Sequence, residues 1–206
     1  MQVSLQNAGK RFNRDWIFRH VNLTFLPGRS YAITGPNGSG KSTLLQLLAG
    51  ALQPTEGSVT YSDTSGNTIP DIDMYNHVSL AAPYLELIEE LTALEMIAFH
   101  SKFKVFRESP DNILKTTGLE AAAAKPIKYF SSGMKQRLKL ALAFFSQSDI
   151  LLLDEPLTNL DAAGAALYDH LIVRDQQQRI LIISSNEKKE YAFCSDTINI
   201  LDLKHA

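Results

Sequence analysis

A glycine-rich segment near the start of the chain constrains its fold most strongly. Its nine residues are Gly35-Pro36-Asn37-Gly38-Ser39-Gly40-Lys41-Ser42-Thr43. They follow a short apolar run at residues 31–34, which indicates a strand, and precede residues 44–52, which indicate a helix. Glycines let the backbone wrap closely around an anion, and the dipole of the helix adds partial positive charge. The segment therefore predicts binding of a nucleoside triphosphate, and we call residues 35–43 the phosphate loop.

Two side chains of the phosphate loop carry specific predictions. Lys41 is expected to reach the β- and γ-phosphates, and the Ser42 hydroxyl is expected to bind Mg²⁺. The alternative is a turn rich in glycine and serine before a core helix. We disfavour it because the loop lies between a strand and a helix N-terminus, where its chemistry requires it to be.

A second segment combines an apolar run with two carboxylates. Its sequence is Ile150-Leu151-Leu152-Leu153-Asp154-Glu155-Pro156. The run predicts a central strand, and parallel sheets bind ligands at the carboxyl ends of their strands. Asp154 is expected to bind Mg²⁺ directly or through water, and Glu155 to orient or deprotonate the water that attacks the γ-phosphate. The alternative, a strand followed by a solvated acidic turn, is weakened by the presence of Lys41 and Ser42.

Composition limits the classes of protein to be considered. The chain has 206 residues, of which 45% are hydrophobic, which fits one domain or one domain with an inserted lobe. Its formal net charge of −2 gives no overall attraction to nucleic acid, so direct binding of nucleic acid is not expected. Cys194, the single cysteine, fits a reducing cytoplasm. No secretion signal is recognised, and the densest apolar stretches are too short to span a bilayer.

The order of predicted elements indicates an α/β core with a helical lobe. Strands are predicted within the first 30 residues and at residues 57–61, 77–80, 150–153, 180–183 and 197–201. The continuous apolar runs fit parallel strands that are covered on both faces. Apolar residues recur at helical intervals over residues 84–106, and helices are also predicted over 111–119, from Ser131 or Ser132 onward, and over 164–173. The lobe is placed at residues 84–147.

A third segment resembles a known family. Phe130-Ser131-Ser132-Gly133-Met134-Lys135-Gln136-Arg137 precedes the acidic pair, and Leu157-Thr158-Asn159-Leu160-Asp161 follows it. With the phosphate loop, this order and spacing closely resembles the ATPases of ABC transporters, from Val3 to Leu203. The family's usual Leu-Ser-Gly-Gly-Gln signature corresponds to residues 130–134. The phosphate loop alone indicates only a P-loop NTPase, whereas the three segments together are highly specific.

The resemblance implies a fold and a pair of subunits. The fold is α/β, with a P-loop NTPase (RecA-like) core and parallel sheet, N-terminal antiparallel strands and an inserted α-helical subdomain. Residues 1–206 would form a single ATP-binding domain, with 1–83 and 148–206 as the nucleotide-binding core and 84–147 as the helical subdomain. ATP would lie between the phosphate loop of one subunit and the signature of another. The signature residues that would contact it are Ser131, Ser132, Gly133 and Met134.

The resemblance also assigns roles outside the three segments. Asp161 resembles the aspartate that links the two ATP sites across the subunit interface. Phe12 resembles the aromatic residue that stacks on adenine, and Trp16 is the competing candidate. For both rings, packing in the core is the alternative.

Two positions depart from the family, and both bear on the rate of hydrolysis. The glutamine expected at the entry to the helical lobe falls at Ala82, which offers no side-chain oxygen; Glu86 is an alternative source of one. The histidine expected after the strand at residues 180–183 is replaced by Asn186, whose amide donates a hydrogen bond but carries no proton or positive charge. Because Glu155 is present, we expect MgATP to bind and to be hydrolysed slowly.

Two functions are kept open. The first is the ATP-binding subunit of an ABC transporter, acting as a homodimer or a heterodimer on separate integral membrane permease subunits. It would be cytoplasmic, held at the inner face of the cell membrane by its permease. Tyr84, Leu85 and Leu87 are candidates for the groove that receives the permease, with core packing as the alternative. The second function is a soluble, ATP-gated module that acts on protein or nucleic acid without transport.

Overall fold

The structure, a computed structural model, describes residues 1–175 and 179–204; residues 176–178 and 205–206 of the expected core lie outside the described residues. The strands are β1 (Gln2–Phe12), β2 (Asp15–Phe25), β3 (Ser30–Thr34), β4 (Glu56–Ser62), β5 (Thr68–Ile69), β6 (Val78–Ala81), β7 (Ile150–Asp154), β8 (Ile180–Ser184) and β9 (Asp196–Asn199). The α-helices are α1 (Lys41–Leu48), α2 (Met74–His77), α3 (Ala93–His100), α4 (Pro110–Thr116), α5 (Ser132–Phe145), α6 (Ala162–Asp175) and α7 (Lys188–Tyr191).

The strands form two sheets. An antiparallel sheet has the order β2-β1-β4-β5, and a parallel sheet has the order β6-β7-β8-β3-β9. This architecture confirms the predicted α/β fold with N-terminal antiparallel strands. None of the helices formed by the described residues has the length and apolar character needed to cross a membrane.

The central strands of the parallel sheet are covered on both faces. In β7, Leu151 and Leu153 pack in a core that contains residues of α5 and α6. Ile150 and Leu152 pack in a second core, which contains residues of α1 and of the antiparallel sheet. Because successive side chains of a strand point to opposite faces, burial on both sides requires an uninterrupted apolar run.

The helices between β6 and β7 begin at capping residues. The Ser131 hydroxyl accepts the Met134 N–H at 3.2 Å, so α5 begins at the residue expected from the sequence. Thr92 forms a capping box with Glu95 at the start of α3. The face of α5 that was expected to be buried is buried, at Leu138, Ala141, Leu142 and Phe145.

The extents of three elements differ from the predictions. Helical periodicity over residues 84–106 predicted one helix, but α3 begins only at Ala93. In the preceding turns, the carbonyl of Leu91 accepts the N–H of Ile127 at 2.9 Å. The helix after the phosphate loop ends at Leu48 because Gly50 adopts φ 74° and the following N–H groups donate back into the last turn. The final strand ends at Asn199, and residues 200–204 form a 3₁₀ segment.

A buried ion pair ties the C-terminal end of α5 to the core. Arg179 Nε donates to Asp175 Oδ2 at 2.6 Å, and the two side chains are 1% and 5% exposed. The same guanidinium donates to the carbonyl oxygens of Phe144 at 2.9 Å and Ser146 at 3.1 Å. Arg107 contacts Asp175 at 3.0 Å from the other side. Since the last carbonyls of a helix lack partners within it, Arg179 holds the helix whose N-terminus follows Ser131.

We predict that Arg179→Ala lowers the free energy of unfolding by about 3 kcal/mol, because it leaves the buried Asp175 carboxylate with Arg107 on its other oxygen alone and removes the guanidinium donor from two helix-end carbonyls. Urea denaturation measures the change. The matched control is Arg14→Ala, an exposed site, which should change stability by no more than about 0.5 kcal/mol. Equal stability of the two variants would contradict the role assigned to Arg179.

Candidate nucleotide-binding site

Three neighbouring parallel strands end at the edge of the sheet where the site residues lie. Thr34 ends β3, Asp154 ends β7 and Ser184 ends β8. Ser184 pairs with Asp154 on one side and with Ile33 on the other. The phosphate loop, the acidic pair and the segment after β8 therefore all leave the sheet at one edge, which is where open α/β sheets bind ligands.

The backbone of the phosphate loop is shaped for close approach by an anion. Gly35, Gly38 and Gly40 have φ values of 136°, 74° and 109°, a region that favours glycine. A Cβ on Gly40 would collide with Ile17 Cγ2, whereas a Cβ on Gly38 would meet nothing within 4 Å. The backbone at Gly38 thus faces open space, and no described side chain caps the N-terminus of α1. These features fit a bound phosphate.

Two polar side chains of the phosphate loop fit a site that a nucleotide completes. Lys41 has hydrogen-bond partners that a nucleotide would replace, and Ser39 lacks a partner that a nucleotide would supply. Lys41 Nζ donates to the carbonyl oxygens of Gly35 at 2.7 Å and Pro36 at 3.3 Å, which folds the ammonium group against the loop. The Ser39 hydroxyl is buried, and it has no hydrogen-bond partner among the described residues. A buried hydroxyl without a partner is uncommon and fits a site that a ligand completes.

The acidic pair emerges from β7 through a turn in an unusual backbone conformation. Asp154 is buried at the end of the strand. Glu155 follows with φ 44°, and its N–H donates to the Ser184 carbonyl at 2.9 Å. A left-handed conformation at a residue other than glycine costs about 1 kcal/mol or more and is common at functional sites. It brings Glu155 into the cavity that Lys41 and Ser42 line.

One aromatic candidate lies at this cavity. The cavity has a volume of about 270 Å³ and joins the phosphate loop to Phe12 and Glu155. The Phe12 ring is partly exposed there. Trp16 instead packs against the guanidinium groups of Arg11 and Arg19, which lie 5.2 and 4.5 Å from the ring centroid. Lys10 Nζ also lies 5.2 Å from the Phe12 ring centroid, so the two rings differ in that Phe12, and not Trp16, is among the described residues that line the cavity.

Asn186 lies against the phosphate loop. Its Nδ2 donates to Asn37 Oδ1 at 2.8 Å. A second cavity, of about 150 Å³, is lined by Asn37, Glu155 and Asn186 together with residues of α7 and its neighbours. The structure thus brings Lys41, Glu155 and Asn186, the three predicted catalytic residues, to adjoining cavities.

The signature residues lie elsewhere, at the start of α5 and beside Asp161. A Cβ on Gly133 would lie 3.1 Å from the carbonyl oxygen of Asn159. Arg137 and the N–H of Gly164 each donate to Asp161 Oδ1 at 2.8 Å, and these two contacts hold the pKa of Asp161 below its usual value. Residues 131–134 are not among the described residues that line the phosphate-loop cavity. One chain therefore presents the predicted site in two separate parts.

Ala82, at the entry to the helical segment, stands where the family's glutamine is expected and has no side-chain oxygen. Ala82 is buried, and its carbonyl accepts a hydrogen bond from Lys139 at 3.4 Å. Glu86, the alternative oxygen donor, lines a different cavity of about 220 Å³ together with Leu85 and Leu87. Of the two leucines, Leu87 packs against the core and Leu85 is more exposed.

Tyr84 is a residue whose placement the sequence interpretation missed. Burial raises the pKa of its hydroxyl above the usual value, a hydrogen bond with the Gln46 side chain lowers it, and the negative charge of Asp154 raises it. Tyr84 therefore lies near Gln46 of α1 and Asp154, and it is not among the described residues that line the cavity with Leu85. The only signal for this placement in the sequence was the position of Tyr84 two residues after Ala82. Its aromatic ring suggested an apolar contact instead of a polar one with Gln46 and Asp154.

Comparisons with known proteins agree with this geometry. Residues 18–158 match the family model described as ABC transporter. The chain is 32% identical over 203 residues to the uncharacterized ABC transporter ATP-binding protein YybJ of Bacillus subtilis strain 168, covering 98% of this chain and 90% of that protein. It is 34% identical over 155 residues to the cytochrome c biogenesis ATP-binding export protein CcmA of Xylella fastidiosa strain 9a5c, covering 74% and 67%.

A solved structure shares the fold. The ATP-binding cassette MJ0796, in a dimeric post-hydrolysis state bound to ADP and Pi, matches with a TM-score of 0.83 at 24% identity and covers 96% of this chain and 93% of that one. The family match, the two relatives and the order of the phosphate loop, signature and acidic pair along the chain lead to one assignment. The chain belongs to the ATP-binding proteins of the ABC transporter family, which bind and hydrolyse ATP.

Proposed function

We propose that the chain binds MgATP and hydrolyses it slowly as the ATP-binding subunit of a transporter, each ATP being enclosed between two ATPase subunits. The observation that carries this proposal is the separation of the site into two parts. The phosphate loop, Glu155 and Asn186 adjoin the same cavities, whereas the start of α5 lies outside them. Ser131 and Ser132 are exposed there, which leaves a helix N-terminus available to the phosphates of a nucleotide on a second subunit.

The roles of the loop residues follow from their chemistry. The backbone of residues 35–43 surrounds the phosphates, and Lys41 exchanges its two carbonyl partners for phosphate oxygens. Phe12 stacks on the adenine. Ser42 and Asp154 provide hydroxyl and carboxylate oxygens, the donors that Mg²⁺ prefers, and the ion when bound neutralises charge on the phosphates. Glu155 orients the attacking water and accepts its proton.

Two features support slow hydrolysis. Ala82 has no side-chain oxygen to offer the attacking water or the metal site. Asn186 donates its amide to Asn37, so contact with the γ-phosphate requires that bond to break, and the amide brings no positive charge. Loss of a single donor to a transition state commonly lowers the rate by about 10²–10³-fold, and an amide keeps part of that contact.

We predict that Asn186→His raises the steady-state ATPase rate of the assembled complex, because an imidazole can carry positive charge toward the γ-phosphate. Phosphate release under saturating MgATP measures the rate. Glu155→Gln is the control: it should remove turnover in both backgrounds while nucleotide still binds. Rapid turnover of the unaltered protein, with no gain from Asn186→His, would show that the two departures do not limit the rate.

The second subunit is either another copy of this chain or a different ATPase subunit. The dimeric state described for the MJ0796 cassette supports the general arrangement. Asp161, to which Arg137 donates at 2.8 Å beside the signature, would link one ATP site to the other across the subunit interface. We propose that the pair acts on integral membrane permease subunits at the cytoplasmic face of the membrane, and that direct contact with nucleic acid is not part of the function.

The permease contact is proposed at the cavity beside the helical segment. Its lining combines apolar residues of β6, α3 and α5 with Leu85 and Leu87 at the mouth. Leu85 is 37% exposed and the nearby Ile88 is 40% exposed, so apolar side chains face solvent beside this groove, as they do at many protein contact surfaces. A helix of the permease with an apolar face would fit this groove.

We predict that Leu85→Asp reduces the fraction of the protein that co-purifies with detergent-solubilised membranes by at least about tenfold, because an aspartate at an apolar contact is left desolvated. Nucleotide affinity should not change. Val173→Asp, at a site 73% exposed on α6, is the matched control and should co-purify like the unaltered protein. Equal membrane recovery of the two variants would refute the assignment of this groove.

A further inference from the structure

Glu190, on the short helix α7, joins the two segments that carry the reacting groups. Its Oε1 accepts the N–H of Leu157 at 3.0 Å, two residues after Glu155. The Ser185 hydroxyl lies beside the same carboxyl group and lowers its pKa, and Ser185 directly precedes Asn186. Glu190 is 3% exposed, so both contacts are made away from bulk water.

Two further contacts lie close to this carboxyl. The Tyr168 hydroxyl donates to the backbone carbonyl of Glu190 at 2.7 Å, which secures the backbone of α7 and does not involve the carboxyl. The Glu187 N–H donates to Ser185 Oγ at 2.9 Å, which leaves the hydroxyl proton of Ser185 free to point at Glu190. The groups that position the carboxyl are therefore Leu157 and Ser185.

The second oxygen of Glu190 has no such partner. Oε2 is buried and makes no hydrogen bond to any described residue. It belongs to a residue that lines the 150 Å³ cavity shared with Asn37, Glu155 and Asn186. Burial raises the pKa of the carboxyl, while the Ser185 and Leu157 contacts lower it and the negative charges of Glu187 and Glu155 raise it. A buried polar atom without a partner, on a residue that lines a candidate functional cavity, indicates a role beyond packing.

We infer that Glu190 is a positioning residue for ATP hydrolysis, whose carboxyl fixes the turn carrying Glu155 relative to the segment carrying Asn186. The turn at Glu155 is strained, since its φ is 44°, and needs contacts that over-determine it. Without the Leu157 contact, the turn can relax and move Glu155 away from the attacking water. This inference rests on the proposed function, because it requires Glu155 and Asn186 to act on the same nucleotide.

The test compares variants of the full chain by kcat and KM for ATP. Glu190→Ala should lower kcat by at least about tenfold with KM unchanged, because small misplacements of reacting groups cost up to roughly 10²-fold in rate. Glu190→Gln keeps an oxygen for the Leu157 N–H and should retain at least about half of kcat. Tyr168→Phe is the matched control: it removes a buried hydrogen bond to the same residue but leaves the carboxyl contacts, so kcat should persist.

Ser185→Ala provides a second, conservative test in case Glu190→Ala does not fold. It removes the hydroxyl between Glu190 and Asn186 and should lower kcat a few-fold. Unaltered kcat in Ser185→Ala, or equal losses of kcat in Glu190→Ala and Tyr168→Phe, would overturn the inference. Absence of ATP hydrolysis by the unaltered chain would instead refute the proposed function, and with it the inference.

Discussion

The pairing of β8 between β7 and β3 is the constraint on which the site depends. Ser184 lies opposite Asp154 on one side and Ile33 on the other. The phosphate loop, the acidic pair and the segment after β8 therefore leave the sheet at the same edge. Burial of alternate β7 residues in two cores fixes this register, because a shift by one residue would exchange the two faces. The phosphate loop, Glu155 and Asn186 are distant in sequence, and this pairing brings them to adjoining cavities.

The same architecture leaves the site incomplete. The helix that follows Ser131 is anchored at its far end by Arg179, and its N-terminus faces solvent beside Asp161. An exposed helix N-terminus in one place and a phosphate loop in another are complementary surfaces for a head-to-tail pair. On the phosphate-loop side of the site, Asn186 donates to Asn37, and Ala82 has no side-chain oxygen. On the proposed function, the protein therefore retains the groups that bind ATP and lacks two that would accelerate its cleavage.

Sequence reasoning recovered what local chemistry determines. The phosphate loop, β7 and the cap at Ser131 were predictable because each depends on residues adjacent in the chain. The turns before Ala93 were not, since helical spacing there places apolar residues against the core without a helix. Glu190 and Tyr84 were missed because their partners, at Leu157 and Gln46, are distant in sequence. The roles of the site residues remain predictions, since they depend on a nucleotide and a second subunit.

The central claim, that a second ATPase subunit completes each ATP site, is tested most directly by mixing two inactive variants, for the case in which that subunit is another copy of this chain. Lys41→Ala removes the phosphate contact of one chain, and Ser131→Arg blocks the signature of the other. A mixed dimer then contains one site with both halves intact, so ATPase activity should return in the mixture to as much as about a quarter of the unaltered rate, on random pairing and independent sites. Activity in the mixture no higher than in either variant alone would contradict completion of the site by a second copy of this chain.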